Sequence, residues 1–307
     1  MLAVVLASAL VAGCGGQKSN EQSTATAKAP HSPVVFAGRL VGIGGGRSLF
    51  MYCVGSGSPT VVLDAGFPGD STGWHDVQPQ LGRTTRTCAY DRAGLGNSVA
   101  QPGVHDARDE LSDLQRLLDH AHLDAPYALV GHSCGGLLAR LFARAHPREV
   151  AGVVLVDAVG RDQIRRTLAV WPRGELPALR RTIARPVRQG VDLRSSVALG
   201  SRVTSLGDTP LIVVTAGRHA DWENAPPRLA RALDRLWTTM QDELAALSPD
   251  HLHVVAVRSD HFVQSQRYGH PADVIRAVRA VVRAARDGAP LPPCRSLFTG
   301  ADVRCLG

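Results

Sequence analysis

The chain has 307 residues, of which 44% are hydrophobic and 20% are charged, and its formal net charge is +7. This content is sufficient for one large α/β domain with an insertion. Aromatic residues make up only 5%, and the arginines are scattered apart from a modest cluster within residues 161–202. Because neither a base-stacking platform nor a compact basic motif is present, we exclude nucleic-acid binding and interpret the charge as a basic surface facing anionic lipid.

The amino-terminal segment is expected to lie outside the folded domain. Residues 1–13 are almost entirely small or apolar, and a polar stretch follows Cys14. This pattern resembles a bacterial lipobox, which implies that residues 1–13 are a signal peptide and that Cys14 is diacylated after cleavage; an ordinary secretory signal is the alternative. No Lys or Arg precedes the apolar run, so a start upstream of Met1 stays open. Residues 14–33 have no apolar periodicity and are predicted to form a flexible tether. We therefore expect a cell-envelope protein, lipid-anchored to the outer face of the cytoplasmic membrane, or a secreted one.

Residues 34–290 alternate short apolar runs with amphipathic segments, which predicts strands alternating with helices. The predicted strands are residues 34–43, 48–54, 60–63, 85–90, 126–131, 150–156, 210–215 and 252–257, and the predicted helices are residues 74–81, 106–120, 134–146, 229–247 and 273–285. Nearly continuous apolar strands predict a mostly parallel sheet with helices on both faces. Residues 159–208 are arginine-rich with a weak helical pattern, and we expect them to form a cap insertion over the strand ends. Residues 291–307 are expected to be a carboxy-terminal tail.

The most informative motif is Gly-x-Ser-x-Gly at residues 131–135, which directly follows an apolar strand and opens a helix with an apolar stripe. A turn of this kind forces Ser133 into a strained conformation, and only small residues fit two positions to either side. The hydroxyl is then lifted clear of the sheet at the positive end of the helix. A glycine-rich turn whose serine only caps the helix is the alternative, but it leaves the preceding strand and the paired glycines unexplained.

Three further segments accompany this motif: Leu-Asp-Ala-Gly-Phe-Pro-Gly at residues 63–69, Tyr-Asp-Arg-Ala-Gly-Leu-Gly-Asn-Ser at 90–98 and Ser-Asp-His-Phe-Val at 259–263. In this order they resemble the α/β-hydrolases, and the chain is similar to bacterial esterases of the alpha/beta-hydrolase-1 group over roughly residues 38–286. The resemblance implies the α/β-hydrolase fold with a cap after the strand ending at Asp157, and a triad in the chain order Ser, acid, His. It implies Ser133 as nucleophile and His261, in the loop after the last buried strand, as base.

The resemblance leaves two candidates for the triad acid, which orients the imidazole. We favour Asp221, in the loop after the strand at residues 210–215. The alternative is Asp157, at the end of the strand at residues 150–156, which follows the helix after Ser133; the turn at Ser133 is called the elbow below. Asp260 adjoins His261, a geometry that usually points the carboxylate elsewhere. The oxyanion hole is expected from the backbone amides of Cys134 and Phe67. We expect Arg92 to form a buried Asp–Arg pair within the Asp-Arg-Ala-Gly turn at residues 91–94.

The cysteines agree with export from the cytoplasm. Cys53 and Cys88 fall on strands that would be neighbours in the expected fold, and Cys294 and Cys305 bracket a short polar segment, so we expect both pairs to oxidise. Cys134 is expected to remain a thiol. No metal site is expected, because paired short cysteine spacings and a His-x-x-x-His helix pattern are both missing from the sequence, and no cofactor is expected, because phosphate-cradling and dinucleotide motifs are missing too.

We interpret the chain as a serine hydrolase that cleaves a small-molecule carboxylic ester through an acyl-enzyme, with water as the only co-reactant. An aminopeptidase of the same fold is one alternative, although such enzymes need carboxylates at the mouth of the site and this cap is rich in arginine. A non-catalytic binding lipoprotein is the other alternative, although Ser133, His261 and both candidate acids are present. The physiological substrate and the oligomeric state stay open.

Overall fold

The computed structural model describes residues 38–187, 189–219, 222 and 225–306. Its strands are β1 Arg39–Gly44, β2 Arg47–Val54, β3 Thr60–Asp64, β4 Thr87–Tyr90, β5 Tyr127–His132, β6 Val150–Val156, β7 Leu211–Ala216, β8 His251–Ala256 and β9 Val303–Leu306. They form a nine-stranded sheet in the order β1-β2-β4-β3-β5-β6-β7-β8-β9. The strands from β3 to β8 pair in parallel, whereas β1, β2 and β9 join at the two edges in antiparallel orientation. The expected mostly parallel sheet is therefore confirmed.

Helices cover both faces of the sheet. They are α1 Gln78–Leu81, α2 Ala107–His120, α3 Cys134–Ala145, α4 Gln163–Val170, α5 Leu176–Ile183, α6 Leu193–Gly200, α7 Pro227–Ala245, α8 Pro271–Asp287 and α9 Cys294–Leu297. Helices α2, α3 and α7 contribute to a core cluster on one face, and α1 and α8 to a second cluster on the other. Strand β6 feeds both cores by alternation, with Val153 and Leu155 in the first and Val154 and Val156 in the second, as expected for a strand buried on both faces.

Three segments differ from the sequence-based expectation. The predicted helix at residues 74–81 is a 3-10 turn, Ser71–Trp74, followed by the separate short α1. The expected carboxy-terminal tail contains α9 and β9, and β9 pairs with β8 and so covers what would be an open edge of the sheet. Helices α4, α5 and α6 lie within residues 159–208, the segment that we expected to form a cap, and we call it the cap segment below.

Both expected cysteine pairs lie at disulfide distance. Cys53 and Cys88 face each other directly in the register of β2 with β4, and their sulfurs are 2.05 Å apart. The sulfurs of Cys294 and Cys305 are 1.92 Å apart and tie α9 to β9. Cys134 is a free cysteine. The signal segment, the tether and Cys14 lie outside the described residues, and among those described no helix combines the length and apolarity required to cross a bilayer.

Candidate active site

Ser133 lies in the turn between β5 and α3, at the carboxyl end of a central strand. Its backbone has φ 52° and ψ −116°, a conformation that non-glycine residues rarely adopt. A Cβ on Gly131 would come within 2.3 Å of the Gly135 carbonyl oxygen, and a Cβ on Gly135 within 2.2 Å of the Asp64 carbonyl oxygen. The two glycines are therefore needed for the chain to pass through this turn, which places Ser133 at the amino terminus of α3.

The His261 side chain pairs with a carboxylate at the end of another strand, two positions away in the sheet. His261 follows β8, Asp157 follows β6, and the imidazole Nδ1 lies 2.6 Å from Asp157 Oδ2. An ionised carboxylate only accepts hydrogen bonds, so Nδ1 carries the proton and donates it. In the neutral ring, Nε2 is then left with its lone pair, which is the tautomer that a general base requires.

Asp157 is held as a buried, ionised acceptor. Its second oxygen, Oδ1, accepts hydrogen bonds from the Ala216 amide at 3.0 Å and from Trp237 Nε1 at 2.8 Å. Burial acts to raise the pKa of Asp157, but the hydrogen bond and charge of His261 outweigh it, and the pKa lies below its usual value. The carboxylate therefore remains charged at neutral pH and is fixed in orientation by three donors.

Of the two acids considered from the sequence, only Asp157 lies among the residues that the structure describes. Asp157 contacts the imidazole directly, whereas Asp221 lies outside the described residues. Asp260, as expected, is directed elsewhere, because its Oδ1 accepts the backbone amide of His261 at 2.7 Å. The proposal below therefore takes Asp157, the alternative acid, in place of Asp221.

His132 is a site residue whose contacts the sequence did not indicate. Its ring packs against the His261 ring with centroids 4.5 Å apart. Its Nε2 lies 2.9 Å from the His261 carbonyl oxygen, which accepts the hydrogen bond. Burial, reinforced by the nearby charge of His261, lowers the pKa of His132 to about 3. His132 is therefore a neutral donor that fixes the loop carrying His261.

The two amides expected to form the oxyanion hole have no backbone acceptor among the described residues, although the Phe67 amide interacts with the Cys134 thiol. Cys134 is the first residue of α3, a position whose N–H has no acceptor within its own helix. Within the described part of the chain, neither the Cys134 nor the Phe67 amide hydrogen-bonds to another backbone group. Desolvation raises the pKa of the Cys134 thiol, although Arg92 and the Phe67 amide act in the opposite direction. The thiol is thus kept neutral next to Ser133.

A buried ionic cluster supports the loop that carries Phe67. Arg92 Nη1 donates to Asp64 and, at 2.6 Å, to the Ala65 carbonyl oxygen, while the Tyr90 hydroxyl donates to Asp64 at 2.8 Å. Arg92 Nε lies 3.4 Å from a carboxylate oxygen of Glu110. Burial raises the pKa of Glu110 to about 7, despite the opposing charge of Arg92.

The expected Asp–Arg pair thus forms with different acids. Arg92 pairs with Asp64 and Glu110, not with an acid of its own turn. Asp91 instead accepts the backbone amides of Ser71 at 2.7 Å and Asn97 at 2.8 Å. Asp64 is therefore the anchor of Arg92 beneath the loop that carries Phe67.

Comparison with known proteins gives consistent matches. A family model described as the alpha/beta hydrolase fold matches residues 59–194. The chain is 26% identical over 207 residues to the uncharacterised protein YqjL of Bacillus subtilis, covering 67% of this chain and 78% of that protein. It is 36% identical over 126 residues to a 2-hydroxy-6-oxo-2,4-heptadienoate hydrolase of Pseudomonas putida, covering 40% of this chain and 45% of that protein. The match thus spans less than half the length of the second relative.

Among solved structures, an esterase from Thermogutta terrifontis superposes with a TM-score of 0.58 at 22% identity, covering 81% of this chain and 98% of the esterase. At this identity the likeness concerns the fold alone. Together with the family match over residues 59–194, the segment that contains Ser133, it shows that the chain has the alpha/beta-hydrolase fold.

Proposed function

We propose that this chain is a serine hydrolase that cleaves carboxylic esters through an acyl-enzyme, with Ser133 as nucleophile, His261 as general base and Asp157 as the orienting acid. The observation that carries the proposal is the 2.6 Å contact between His261 Nδ1 and the buried Asp157. The strained strand-to-helix turn at Ser133 supports the choice of nucleophile. The relative in Pseudomonas putida is named as a hydrolase and the Thermogutta terrifontis structure as an esterase, which supports the same reaction class.

In the acylation step, His261 Nε2 takes the Ser133 hydroxyl proton while Oγ attacks the ester carbonyl carbon. The carbonyl oxygen becomes an oxyanion, and the Cys134 and Phe67 amides stabilise its charge. His261 then gives its proton to the departing alkoxide, which leaves as the alcohol. Asp157 stabilises the imidazolium during this transfer and is not itself protonated.

In the deacylation step, water enters and His261 removes its proton as the oxygen attacks the acyl carbon. Collapse of the second tetrahedral intermediate breaks the bond to Oγ, and the proton on His261 returns to Ser133. The products are an alcohol and a carboxylic acid, and no other co-reactant is consumed.

Turnover of p-nitrophenyl butyrate tests the assignment. We expect Ser133→Ala and His261→Ala each to reduce kcat by several orders of magnitude, since removing a triad member leaves only the oxyanion hole and binding. Ser205 is an exposed serine in the loop after α6, near the end of the cap segment. Its replacement, Ser205→Ala, is the matched control and is expected to retain wild-type kcat. Wild-type turnover in Ser133→Ala would remove the nucleophile from the proposal.

We further propose that the protein resides in the cell envelope through a lipid on Cys14. The two cysteine pairs at disulfide distance support an oxidising compartment. Metabolic labelling with an alkyne fatty acid should label the wild-type protein but not Cys14→Ser. The control variant Cys134→Ser should be labelled to the same extent as the wild type. Equal labelling of Cys14→Ser would contradict the anchor.

A further inference from the structure

The cap segment contains a cavity of about 480 Å³ between helices α4, α5 and α6. This volume lies within the range of about 300–1,000 Å³ that is typical of small-molecule sites. One part of its wall is apolar and is formed by Ile164, Leu168, Ala169, Val197 and Ala198. Its lining includes neither Ser133 nor His261 nor Asp157, so the cavity is distinct from the catalytic group.

The remainder of the wall is strongly basic. Arg165, Arg180 and Arg194 line it, and Asp162 is the one acidic lining residue among those described. Asp162 is already paired with Arg165 at 2.9 Å. Within the described residues, Arg180 and Arg194 have no acidic partner. The cavity therefore has two uncompensated guanidinium groups beside an apolar wall.

A fully buried cation behind the wall adds to this positive charge. Arg140 on α3 is 0% exposed, and only its Nη1 has a hydrogen-bond partner, the Val159 carbonyl oxygen. Its Nε and Nη2 atoms have none within the described residues. A Cβ on Gly200 would lie 2.8 Å from Arg140 Nη2, and Gly200 directly precedes Ser201, a lining residue. Burial and the neighbouring charge of Arg161 lower the pKa of Arg140 to about 9, so it is still charged at neutral pH.

We propose that the cap cavity binds an amphipathic carboxylate, with its anionic group on Arg180 and Arg194 and its alkyl chain against the wall formed by α4 and α6. A planar guanidinium fork matches a carboxylate in geometry and charge. The apolar wall removes a short alkyl chain from water, which a fully hydrated anion site would not do. This site goes beyond the proposed hydrolysis and stands on its own residues.

Isothermal titration of the full-length protein with octanoate tests the site. We expect one saturable site, and we expect Arg180→Gln and Arg194→Gln each to weaken binding about tenfold, as expected when a charge-assisted hydrogen bond is lost. Arg116 is an exposed arginine on α2, away from the cavity lining. Its replacement, Arg116→Gln, is the matched control and should bind octanoate as the wild type does. Ala198 is exposed and lines the cavity. In Ala198→Trp the larger side chain should fill the cavity and abolish binding without disturbing the core.

Two further ligands separate the contributions of charge and chain. Octanamide keeps the chain and acetate keeps the charge, and both should bind at least about tenfold more weakly than octanoate. No saturable binding of octanoate would overturn the proposal, as would equal affinity for octanoate and octanamide or unchanged binding in Arg194→Gln and Ala198→Trp. Circular dichroism melting confirms that each variant is folded. Failure here would leave the role of Ser133 intact, since turnover by Ser133→Ala is a separate measurement.

Discussion

Replacing Asp157 by Asn tests the proposed acid with little change in shape. The amide oxygen can still accept from the Ala216 amide and Trp237 Nε1, which now lie 3.0 and 2.8 Å from Asp157 Oδ1. The amide nitrogen would then face His261 Nδ1, which at present donates to Oδ2 over 2.6 Å. Because two donors cannot face each other, the imidazole must present a lone pair at Nδ1 and carry its proton on Nε2. In that tautomer, it cannot accept the Ser133 proton.

The expected loss in kcat is large. In a serine protease triad the same substitution lowers kcat about 10⁴-fold, which corresponds to about 5 kcal/mol of transition-state stabilisation. We expect a loss of about 10³ to 10⁴-fold in the turnover of p-nitrophenyl butyrate, with near-ultraviolet circular dichroism unchanged. Asp221→Asn is the matched comparison and should stay within about tenfold of the wild type, as expected for a residue outside the triad. The reverse pattern, in which Asp221→Asn is the inactive variant, would refute the assignment.

Three further predictions concern the stability of the folded protein. The pKa of His132 is about 3 in the folded protein, whereas the unfolded residue binds a proton below about pH 6.5. Protonation therefore favours the unfolded state, and His132 makes the wild-type protein lose stability as the pH falls through this window. His132→Gln should remove about 1.1 kcal/mol per pH unit of that slope, on average, in urea unfolding between pH 6.5 and 5, and equal slopes would contradict the buried neutral ring. Gly135→Ala should lower stability by several kcal/mol or prevent folding, because the new Cβ would lie 2.2 Å from a backbone oxygen, whereas Gly73→Ala, with no atom within 4 Å, should melt like the wild type. Replacing Cys53 and Cys88 together by Ala should lower the free energy of unfolding by about 4 kcal/mol, from the loop entropy of a 35-residue separation, and an unchanged denaturation midpoint would show that the pair does not form in solution.

The sheet could be predicted from the sequence because its central strands are buried on both faces. Their apolar runs are continuous, so β5, β6 and β7 were recognisable without knowledge of their neighbours. Strand β9 was not predicted, since Val-Arg-Cys-Leu is short, half-exposed and without a clear periodic pattern. Its pairing depends on the exposed edge of β8, which only the assembled sheet supplies.

The site could be predicted in part. The elbow at Ser133 is a local motif, and the small residues that its backbone conformation requires are close to Ser133 in the sequence. The contact between Asp157 and His261 joins residues 104 apart in sequence, so the sequence could place both at strand ends but could not choose between two acids. The partners of Arg92 were missed for the same reason, because Glu110 reaches it from α2 and Asp64 from β3.

Active-site labelling tests the central claim most directly. Full-length protein is treated with a fluorophosphonate probe, digested and mapped by peptide mass spectrometry, with His261→Ala, Asp157→Asn and Ser205→Ala in parallel. We expect the probe on Ser133 in the wild type and in Ser205→Ala, and strongly reduced labelling in the two triad variants, because the hydroxyl is activated only by an oriented imidazole. A probe bound to another residue, or labelling of Ser133 that does not depend on His261, would contradict the proposed serine hydrolase.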